Sequence, residues 1–436
     1  MIIKILNNIL YLPTRYFPAI SGAEFYFQRM AEILTSRYNY SIDVFTSNAI
    51  DFKALREPTG RLIKSDDRFF YKVNSLKIVR FPINYKISEK EIFLRLKSIE
   101  SFNSLNLSSD CVKKIIKNGP YLEDLIDFFI DKKNKNYDLV HTTFFPYFNL
   151  IISLLIGKIM DIPTICTPFF HFSNPRYSDS ILNEILNKFD YIIACTHIEK
   201  KILVDKFKIQ KEKIIVIPMG VDYKRFESIH ETQLNSYYFK ESFFHKKEKK
   251  FRLILYCGNK NYEKGAISIL RSIPYILEKI KNVYFVFIGP STKAYNYELS
   301  KIQKLKYTRI INFTPDNLTG YYDKKKLTAF KEADIYLMPS RSDAFGIAFL
   351  EAWAAGTPVI GARIGATPEV IRENIDGLLV EFDNPIDIAQ KVIKLLENKK
   401  LKKKFGLAGQ YRVSQNYTWD IIAEKTHNAY QSLLKT

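Results

Sequence analysis

Residues 338–369 read MPSRSDAFGIAFLEAWAAGTPVIGARIGATPE, and this stretch decides the fold. An apolar run over 334–338 predicts a strand, the polar residues at 340–343 predict a loop, and a helix is expected to begin near Gly346. Because Gly346 has no side chain, a ligand can approach the first helical amides closely. Those amides and the helix dipole suit a phosphate or a sugar hydroxyl, so this unit predicts a binding site.

Two carboxylates, Asp343 and Glu351, stand eight residues apart in this stretch. At 3.6 residues per turn, Asp343 is expected at the mouth of the helix and Glu351 about two turns further in, on nearly the same face. Carboxylates that point into one cleft accept hydrogen bonds from neutral polyols such as ribose and hexose. A simple N-cap at Asp343 and a surface position for Glu351 are the alternative that these two residues leave open.

Short β-branched runs alternate with helical stretches along the rest of the chain. Most of the runs are continuously apolar, which is typical of parallel strands covered on both faces, so we predict two doubly wound α/β domains. Ligands of open α/β sheets bind beyond the carboxyl ends of the strands, and we therefore expect the site in a cleft between the domains. The predicted strands are 2–6, 42–46, 78–81, 137–141, 164–167, 191–195 and 214–217 in the first series, and 253–257, 283–288, 310–313, 335–338, 358–361 and 378–380 in the second.

The strand pattern breaks between residues 218 and 250, where turn residues and a closing lysine cluster replace it. We therefore predict an N-terminal Rossmann-like domain over 1–220, a linker over 221–250 and a C-terminal Rossmann-like domain over 251–415. Thr418 is the expected N-cap of a last helix. Residues 416–436 are expected to pack back on the first domain.

Composition excludes several classes of protein. The 436 residues are 47% hydrophobic and 26% charged, as in folded proteins, and with only 16 glycines and no short repeat they predict neither a collagen-like array nor a solenoid. Lys and Arg number 66 against 46 Asp and Glu, a net charge of +20. This surplus favours a partner that carries phosphate, namely a nucleic acid, an anionic membrane surface or a nucleotide substrate.

The four cysteines form no C-x-x-C pair, which predicts neither a zinc knuckle nor a redox dithiol and indicates a reducing, cytoplasmic compartment. The N-terminal stretch lacks the charged region and cleavage site of a signal peptide. The apolar run over 147–160 is shorter than the ~20 residues that cross a bilayer, so we expect a core helix there.

The spacing Asp343-x7-Glu351, followed by AGTPVI at 355–360 and GATPE at 365–369, resembles the signature of the family 4 glycosyltransferases. Three fainter likenesses follow the family's order along the chain: IPMGVDYKRF at 217–226, CGNKNYEKG at 257–265 and YTW at 417–419. The resemblance implies the GT-B fold, in which two Rossmann-like domains face each other across a cleft and a C-terminal helix crosses back to the first. It also implies retaining transfer of a hexose-type sugar from a nucleotide-diphosphate sugar to a saccharide or lipid-linked acceptor. Neither a metal nor another cofactor is expected, and the chain has no D-x-D motif.

The resemblance assigns the donor to the second domain. Glu351 would hold the ribose hydroxyls, and Asp343, which stands where the family usually has glutamate, would contact the donor sugar as a catalytic residue. The backbone of Phe345, Gly346 and Ile347 would complete the donor site.

The diphosphate needs cations, because negative charge accumulates on the leaving phosphate in the transition state. Lys264 matches the family's phosphate-binding lysine and is expected to be catalytic. The family's arginine after the first-strand glycine is Asn259 here, and we expect the adjacent Lys260 to supply a cation in its place. Asn259, Lys260 and Lys264 thus belong to the predicted donor site.

Two of the six histidines stand at predicted strand ends, and a Ser-Gly turn follows the first predicted strand and its loop. His171 matches the family's histidine that contacts the donor sugar near the acceptor, and it is the third predicted catalytic residue. His141 is expected to be structural. Ser21 and Gly22 resemble the family's Gly-Gly turn, in which Gly22 would contact the donor phosphates and Ser21 could cap the helix.

The acceptor is expected to bind within 85–130, where residues 86–98 form a basic amphipathic pattern. Such a helix can lie on an anionic membrane, giving peripheral contact at its inner face, or it can be a core helix with one solvated face. Other functions remain open at this point: a nucleotide-sugar epimerase of the same fold, a catalytically silent binding homologue, or a basic nucleic-acid-binding protein. No recognisable nucleic-acid-binding module supports the last, so we expect no nucleic-acid partner.

Overall fold

The structure is a computed structural model that describes residues 8–433 except 20, 64–70, 74–75, 132–135, 172–176, 178 and 228–237. The described residues form two compact α/β units. The first unit draws on Met1–Phe170, Pro175–Pro218 and Trp419–Thr436, and the second on His171–Asn174 and Met219–Thr418.

The first unit is built on an eight-stranded sheet. Its strands are β1 (Asn8–Leu12), β2 (Ser41–Ser47), β3 (Tyr71–Val73), β4 (Leu76–Phe81), β5 (Leu139–Thr143), β6 (Thr164–Thr167), β7 (Tyr191–Ala194) and β8 (Ile214–Val216). They lie in the order β3-β4-β2-β1-β5-β6-β7-β8, and neighbours are parallel except β3 and β4. Every residue of β5 and β6 is buried, because helices exclude water from both faces of these apolar runs.

Among the described residues, eight α-helices accompany this sheet ahead of Pro218. They are α1 (Gly22–Tyr38), α2 (Glu89–Lys97), α3 (Glu100–Asn103), α4 (Ser109–Ile116), α5 (Glu123–Asp131), α6 (Asn149–Met160), α7 (Asn183–Asn187) and α8 (His197–Asp205). The apolar run over 147–160 forms α6, whose first nine residues are all buried, which confirms the core helix. No helix among the described residues is both long and apolar enough to span a bilayer.

The second unit is built on a six-stranded sheet in which all neighbours are parallel. Its strands are β9 (Arg252–Cys257), β10 (Val283–Ile288), β11 (Ile310–Phe313), β12 (Ile335–Met338), β13 (Val359–Ala362) and β14 (Gly377–Val380). They lie in the order β11-β10-β9-β12-β13-β14. The order in which strands are added to the sheet reverses between the neighbours β9 and β12, and doubly wound sheets bind ligands at such a position, beyond the carboxyl ends of the strands.

The helices of the second unit cover both faces of this sheet. They are α9 (Tyr223–Glu227), α10 (Phe239–Phe243), α11 (Ala266–Lys279), α12 (Lys293–Ile302), α13 (Lys324–Glu332), α14 (Ile347–Ala354), α15 (Thr367–Val370), α16 (Pro385–Glu397) and α17 (Lys399–Asn416). The two sheets and their helices confirm the predicted fold class.

The last helix, α18 (Trp419–Leu433), belongs to the first unit, where it packs on α1. The Trp419 ring lies 5.9 Å from that of Phe25, and the Tyr430 hydroxyl lies 3.0 Å from that of Tyr11. The same Tyr430 hydroxyl is 2.5 Å from Nδ1 of His141, which is buried. His141 is therefore structural, as predicted.

Most predicted strands are present with bounds within two residues. The strand predicted at 2–6 lies outside the described residues, and the first described strand begins at Asn8. No sequence pattern predicts β3, whose three residues are too few to show a period.

Part of the predicted linker is packed on the second unit. In α10, Phe239 is fully buried with its ring 6.0 Å from that of Phe313, and the Lys240 amide donates to Glu332 at 2.9 Å. Phe239 and Phe244 bury apolar surface here, which a free linker would leave in water. Within 221–250, residues 228–237 lie outside the described part of the chain.

Candidate active site

The predicted loop and helix follow β12 as expected. Gly346 is the N-cap of α14 with φ of 96°, a left-handed conformation that side chains disfavour. A Cβ at this position would lie 2.7 Å from the Phe349 ring. Glycine is thus required both by the backbone and by packing, and the N-cap position of the helix carries no side chain.

A second loop lies against the first. Gly265 has φ of 77°, and a Cβ there would be 2.3 Å from the Pro339 carbonyl oxygen. The Arg341 amide also donates to the Glu263 carbonyl at 2.8 Å. These contacts hold the loop after β9 beside the loop after β12, although about 75 residues separate them in sequence.

This contact brings together two residues that were predicted separately. Nζ of Lys264 lies 2.9 Å from Oδ1 of Asp343 and donates to the Ser342 carbonyl at 2.9 Å. The side chains are 19% and 14% exposed, so water screens the pair only partly. The second Asp343 oxygen, Oδ2, is buried and has no hydrogen-bond partner among the described residues. A buried acceptor without a donor is costly, which marks this oxygen as a place for a ligand hydroxyl.

His171 lies beside this pair and is grouped with the second unit. Its Nδ1 is 3.2 Å from the Ser342 hydroxyl. Burial chiefly, and then the charge of Lys264, lower the pKa of His171 to about 4, against the opposing effect of Asp343. The imidazole is therefore neutral near pH 7.

Glu351 lies on α14 as predicted, and it is buried rather than on the surface. Its Oε1 is 2.8 Å from Nζ of Lys326, and it also hydrogen bonds with the Tyr321 side chain. Burial chiefly raises the pKa of Tyr336, and the negative charges of Glu351 and Asp343 raise it further.

Lys326 and Tyr321 were not predicted. One signal in the sequence could have found Lys326: in helix α13 it precedes Ala329 and Phe330 by three and four residues, which places it on the buried face. A lysine on an apolar helical face needs a buried anion.

The structure does not bring the Lys260 side chain to the predicted donor site. This side chain is fully buried, and its ammonium donates to the Phe313 carbonyl at 3.0 Å instead of facing a ligand. Burial lowers the pKa of Lys260 to about 8. The reason is local, because the Lys260 amide also donates to the Pro290 carbonyl and draws the residue towards β10. The neighbouring Asn259 is exposed, and its carbonyl accepts a hydrogen bond from Tyr256 at 2.6 Å.

The other predicted donor residues in the second unit have ordinary packing. Phe345 is buried with its ring 5.8 Å from that of Tyr417, and Ile347 is the first residue of α14. No group of three or more His, Cys, Asp or Glu suited to a metal occurs among the described residues.

The Ser21–Gly22 turn lies in the first unit, where Gly22 begins α1. Ser21 occupies the N-cap position but makes no side-chain capping bond, and its hydroxyl donates to Glu24 instead. Glu24 in turn lies 2.7 Å from NH2 of Arg15, and both side chains are buried. This buried ion pair was not predicted. The Ser21 hydroxyl bonds to its carboxylate instead of capping the helix.

In the helix predicted over 86–98, one of the basic side chains is paired with carboxylates of a neighbouring helix. α2 begins after a capping box at Ser88 and buries Ile92 and Leu96. Its Arg95 is paired with Glu123 and Asp127. These contacts favour the core helix with a solvated face.

Comparison with known proteins adds to this geometry. The family model described as "Glycosyl transferases group 1" matches residues 238–412, and the one described as "Glycosyltransferase Family 4" matches residues 112–225. These matches, over 112–225 and 238–412, identify the protein as a glycosyltransferase similar to family 4. This glycosyltransferase is 27% identical over 369 residues to an uncharacterised glycosyltransferase of Methanocaldococcus jannaschii, covering 78% of this chain and 92% of that one.

Two further relatives give this glycosyltransferase its context. It is 26% identical over 331 residues to the D-inositol 3-phosphate glycosyltransferase of Corynebacterium jeikeium, covering 70% and 74% of the two chains. The crystal structure of Anabaena HepE in complex with UDP-glucose superposes with a TM-score of 0.67 at 14% identity, covering 98% and 99% of the two chains. The structural likeness establishes the shared GT-B fold.

Proposed function

We propose that this glycosyltransferase moves a hexose-type sugar from a nucleotide-diphosphate sugar to a saccharide or lipid-linked acceptor, with retention at the anomeric carbon and without a metal. In this proposal residues 251–415 bind the donor, and residues 1–220 with 416–436 bind the acceptor. The UDP-glucose complex of the Anabaena protein supports a nucleotide-sugar donor.

The observation that carries the proposal is the Lys264–Asp343 pair beside the N-terminus of α14. A cation and the first amides of an eight-residue helix suit a diphosphate, whereas the unpaired Oδ2 of Asp343 suits a sugar hydroxyl. Both groups of a nucleotide-diphosphate sugar thus find a partner within one loop pair.

In the proposed reaction the bond between the anomeric carbon and the leaving phosphate breaks. Negative charge grows on the departing diphosphate, and Lys264 together with the α14 amides stabilises it. The acceptor hydroxyl attacks from the same face, and the departing phosphate takes its proton, so the configuration is retained. Asp343 holds the sugar in place through its hydroxyl contact.

His171 positions the donor sugar in this proposal. A base with a pKa of about 4 removes protons poorly at neutral pH, whereas a neutral imidazole can donate or accept a hydrogen bond. We place the reaction in the cytoplasm, with peripheral contact at the inner face of the membrane for a lipid-linked acceptor.

The test is a panel of UDP-, GDP- and ADP-sugars with candidate acceptors, scored by released nucleotide and by the anomeric configuration of the product. We expect acceptor-dependent release that survives EDTA, loss of release in Glu351→Ala, and unchanged release in the control Glu397→Ala, whose side chain is exposed on α16. An undiminished rate in Glu351→Ala, or no turnover with any donor, would contradict the proposal. Conversion of the donor without an acceptor would indicate an epimerase instead.

A further inference from the structure

A basic groove lies at the edge of the second sheet opposite the Lys264–Asp343 pair. Its volume is about 1480 Å³, and the start of β9, the ends of α11 and α16 and the start of α17 line it. The strands of this sheet are parallel, so the starts of β9 and β10 share one edge, whereas Lys264 and Asp343 follow the other ends of β9 and β12. The groove is therefore separate from the candidate active site. The cations that line it are Lys250, Arg252, Lys279, Lys394, Lys399 and Lys400.

Positive charge dominates the lining of the basic groove. Six of its fourteen lining residues are Lys or Arg, and one is acidic. Arg252 is paired with Asp334 at 3.4 Å, but the five lysines are exposed and form no ion pair within the described part of the chain. Unpaired cations around a concave surface raise the potential inside it and attract anions.

The start of α17 places cations where they destabilise the helix. Five lysines stand within its first six residues, and the whole helix contains no Asp or Glu. Two pairs of them stand four residues apart, Lys399 with Lys403 and Lys400 with Lys404. Like charges at this spacing repel each other on a helix, and the positive end of the helix dipole repels them as well. A bound polyanion would compensate both repulsions, so these lysines favour a ligand with several negative charges.

Other side chains of the groove favour a saccharide over a nucleic acid. Asn282, Gln390 and Asn398 are exposed in the lining, and side-chain amides pair with sugar hydroxyls. Phe251 is the one aromatic residue among the described lining residues, and the Arg309 guanidinium lies 4.9 Å from the centre of its ring. Bases stack on free aromatic rings, so this lining suits them poorly. The groove also exceeds the ~300–1,000 Å³ of small-molecule sites and fits a segment of a chain.

We propose that the basic groove is a second saccharide site, which holds a chain bearing phosphate or carboxylate groups at the sheet edge opposite the candidate active site. The lysines bind the anionic groups, and the amides bind hydroxyls of the sugars between them. Such a site keeps a substrate or product chain on the enzyme between transfers and raises its effective concentration. The inference goes beyond the proposed function and does not depend on the donor residues.

The experiment measures binding of fluorescently labelled saccharides to the whole chain by anisotropy, without nucleotide, at about 50 and 200 mM salt. One anionic probe is a phosphomannan fragment, which carries phosphate, and the other is an oligogalacturonate, which carries carboxylates. The neutral probe is a mannan fragment of the same length. We expect the tighter anionic probe to bind at least about tenfold more tightly than mannan at the lower salt concentration, and to weaken about tenfold at the higher one, because salt screens the lysines. Which anionic probe binds more tightly identifies the group that the groove takes.

Charge reversal in the groove is the matched test. Lys394→Glu combined with Lys400→Glu should weaken binding of the tighter anionic probe about 10- to 100-fold. The control is Lys304→Glu combined with Lys306→Glu, which changes the net charge equally at two exposed lysines between α12 and β11. It should leave the affinity within about threefold of the wild-type value, because salt screens distant charges. The groove variant should melt no lower than wild type, since glutamate suits the first turn of α17.

Several results would overturn the inference. They are anionic saccharides that bind no better than mannan, wild-type affinity in the groove variant, and an equal loss of affinity in the control. A labelled single-stranded RNA and vesicles of phosphatidylglycerol with phosphatidylcholine are measured alongside, and tighter binding of either than of the anionic saccharides would overturn the choice of a saccharide. All of these measurements omit the donor, so the inference can fail while the proposed function holds, and the reverse.

Discussion

Replacing Lys264 by methionine tests the catalytic pair most directly. The substitution keeps most of the apolar stem of the side chain but removes the cation 2.9 Å from Asp343. Loss of one fixed donor aimed at transition-state charge typically costs about 2.7–4 kcal/mol, so we expect kcat to fall about 100- to 1000-fold. Nucleotide binding should weaken much less, because the charge on the leaving phosphate grows only in the transition state.

The same substitution also removes the partner of Asp343. The carboxylate is 14% exposed, and leaving it without its cation should lower the free energy of unfolding by about 1–3 kcal/mol. This loss is measurable by thermal melting, and kcat is measured separately at saturating donor and acceptor. The control is Arg363→Met, which breaks another ion pair of the second unit at 2.7 Å whose arginine is 45% exposed.

The two effects can be told apart by the double variant with Asp343→Asn. If Lys264 served only to hold Asp343, the double variant would turn over no more slowly than Asp343→Asn alone. A kcat of Lys264→Met within about threefold of wild type, in a protein that melts normally, would refute the assignment of Lys264 to the leaving phosphate.

Three further changes have definite expected outcomes. Burial lowers the pKa of His141 to about 3, so the free energy of unfolding should fall as the pH drops from 6.5 towards 3, by up to about 1.4 kcal/mol per pH unit. When the free energy of unfolding is measured by urea titration at each pH, it should fall less steeply with pH in His141→Asn than in wild type. Gly346→Ala should melt well below Gly356→Ala, because both sites have positive φ but only the first places the new Cβ against Phe349 at 2.7 Å; equal melting temperatures would contradict this reasoning. In the folded fraction of Lys260→Met, kcat/KM should stay within a few fold of the wild-type value, because the buried Lys260 ammonium donates to the Phe313 carbonyl. A 100-fold loss of kcat/KM would indicate that Lys260 belongs to the donor site after all.

The order of strands and helices could be predicted because local pattern carries it. Buried parallel strands need continuous apolar runs, and those runs show in the sequence without any knowledge of their neighbours. The packing of α10 could not be predicted, because its Phe239 contacts Phe313 of β11, which lies about 70 residues further along the chain. Short elements such as β3 also escape, since three residues cannot show a period.

The sequence by itself determined that a helix opens at Gly346 and that Glu351 lies within it, because these signals are local. Asp343 lies in the loop before the helix, so helical geometry alone does not fix its place relative to Glu351. Only the tertiary structure decided which cations meet these carboxylates. Lys264 reaches Asp343 because two loops pack around Gly265, and Lys326 reaches Glu351 because α13 buries its apolar face. The Lys260 ammonium instead donates to the Phe313 carbonyl in β11 at 3.0 Å, a partner about 50 residues away in sequence. Ion pairs and hydrogen bonds depend on distance in space, whereas the sequence gives only the separation of residues along the chain.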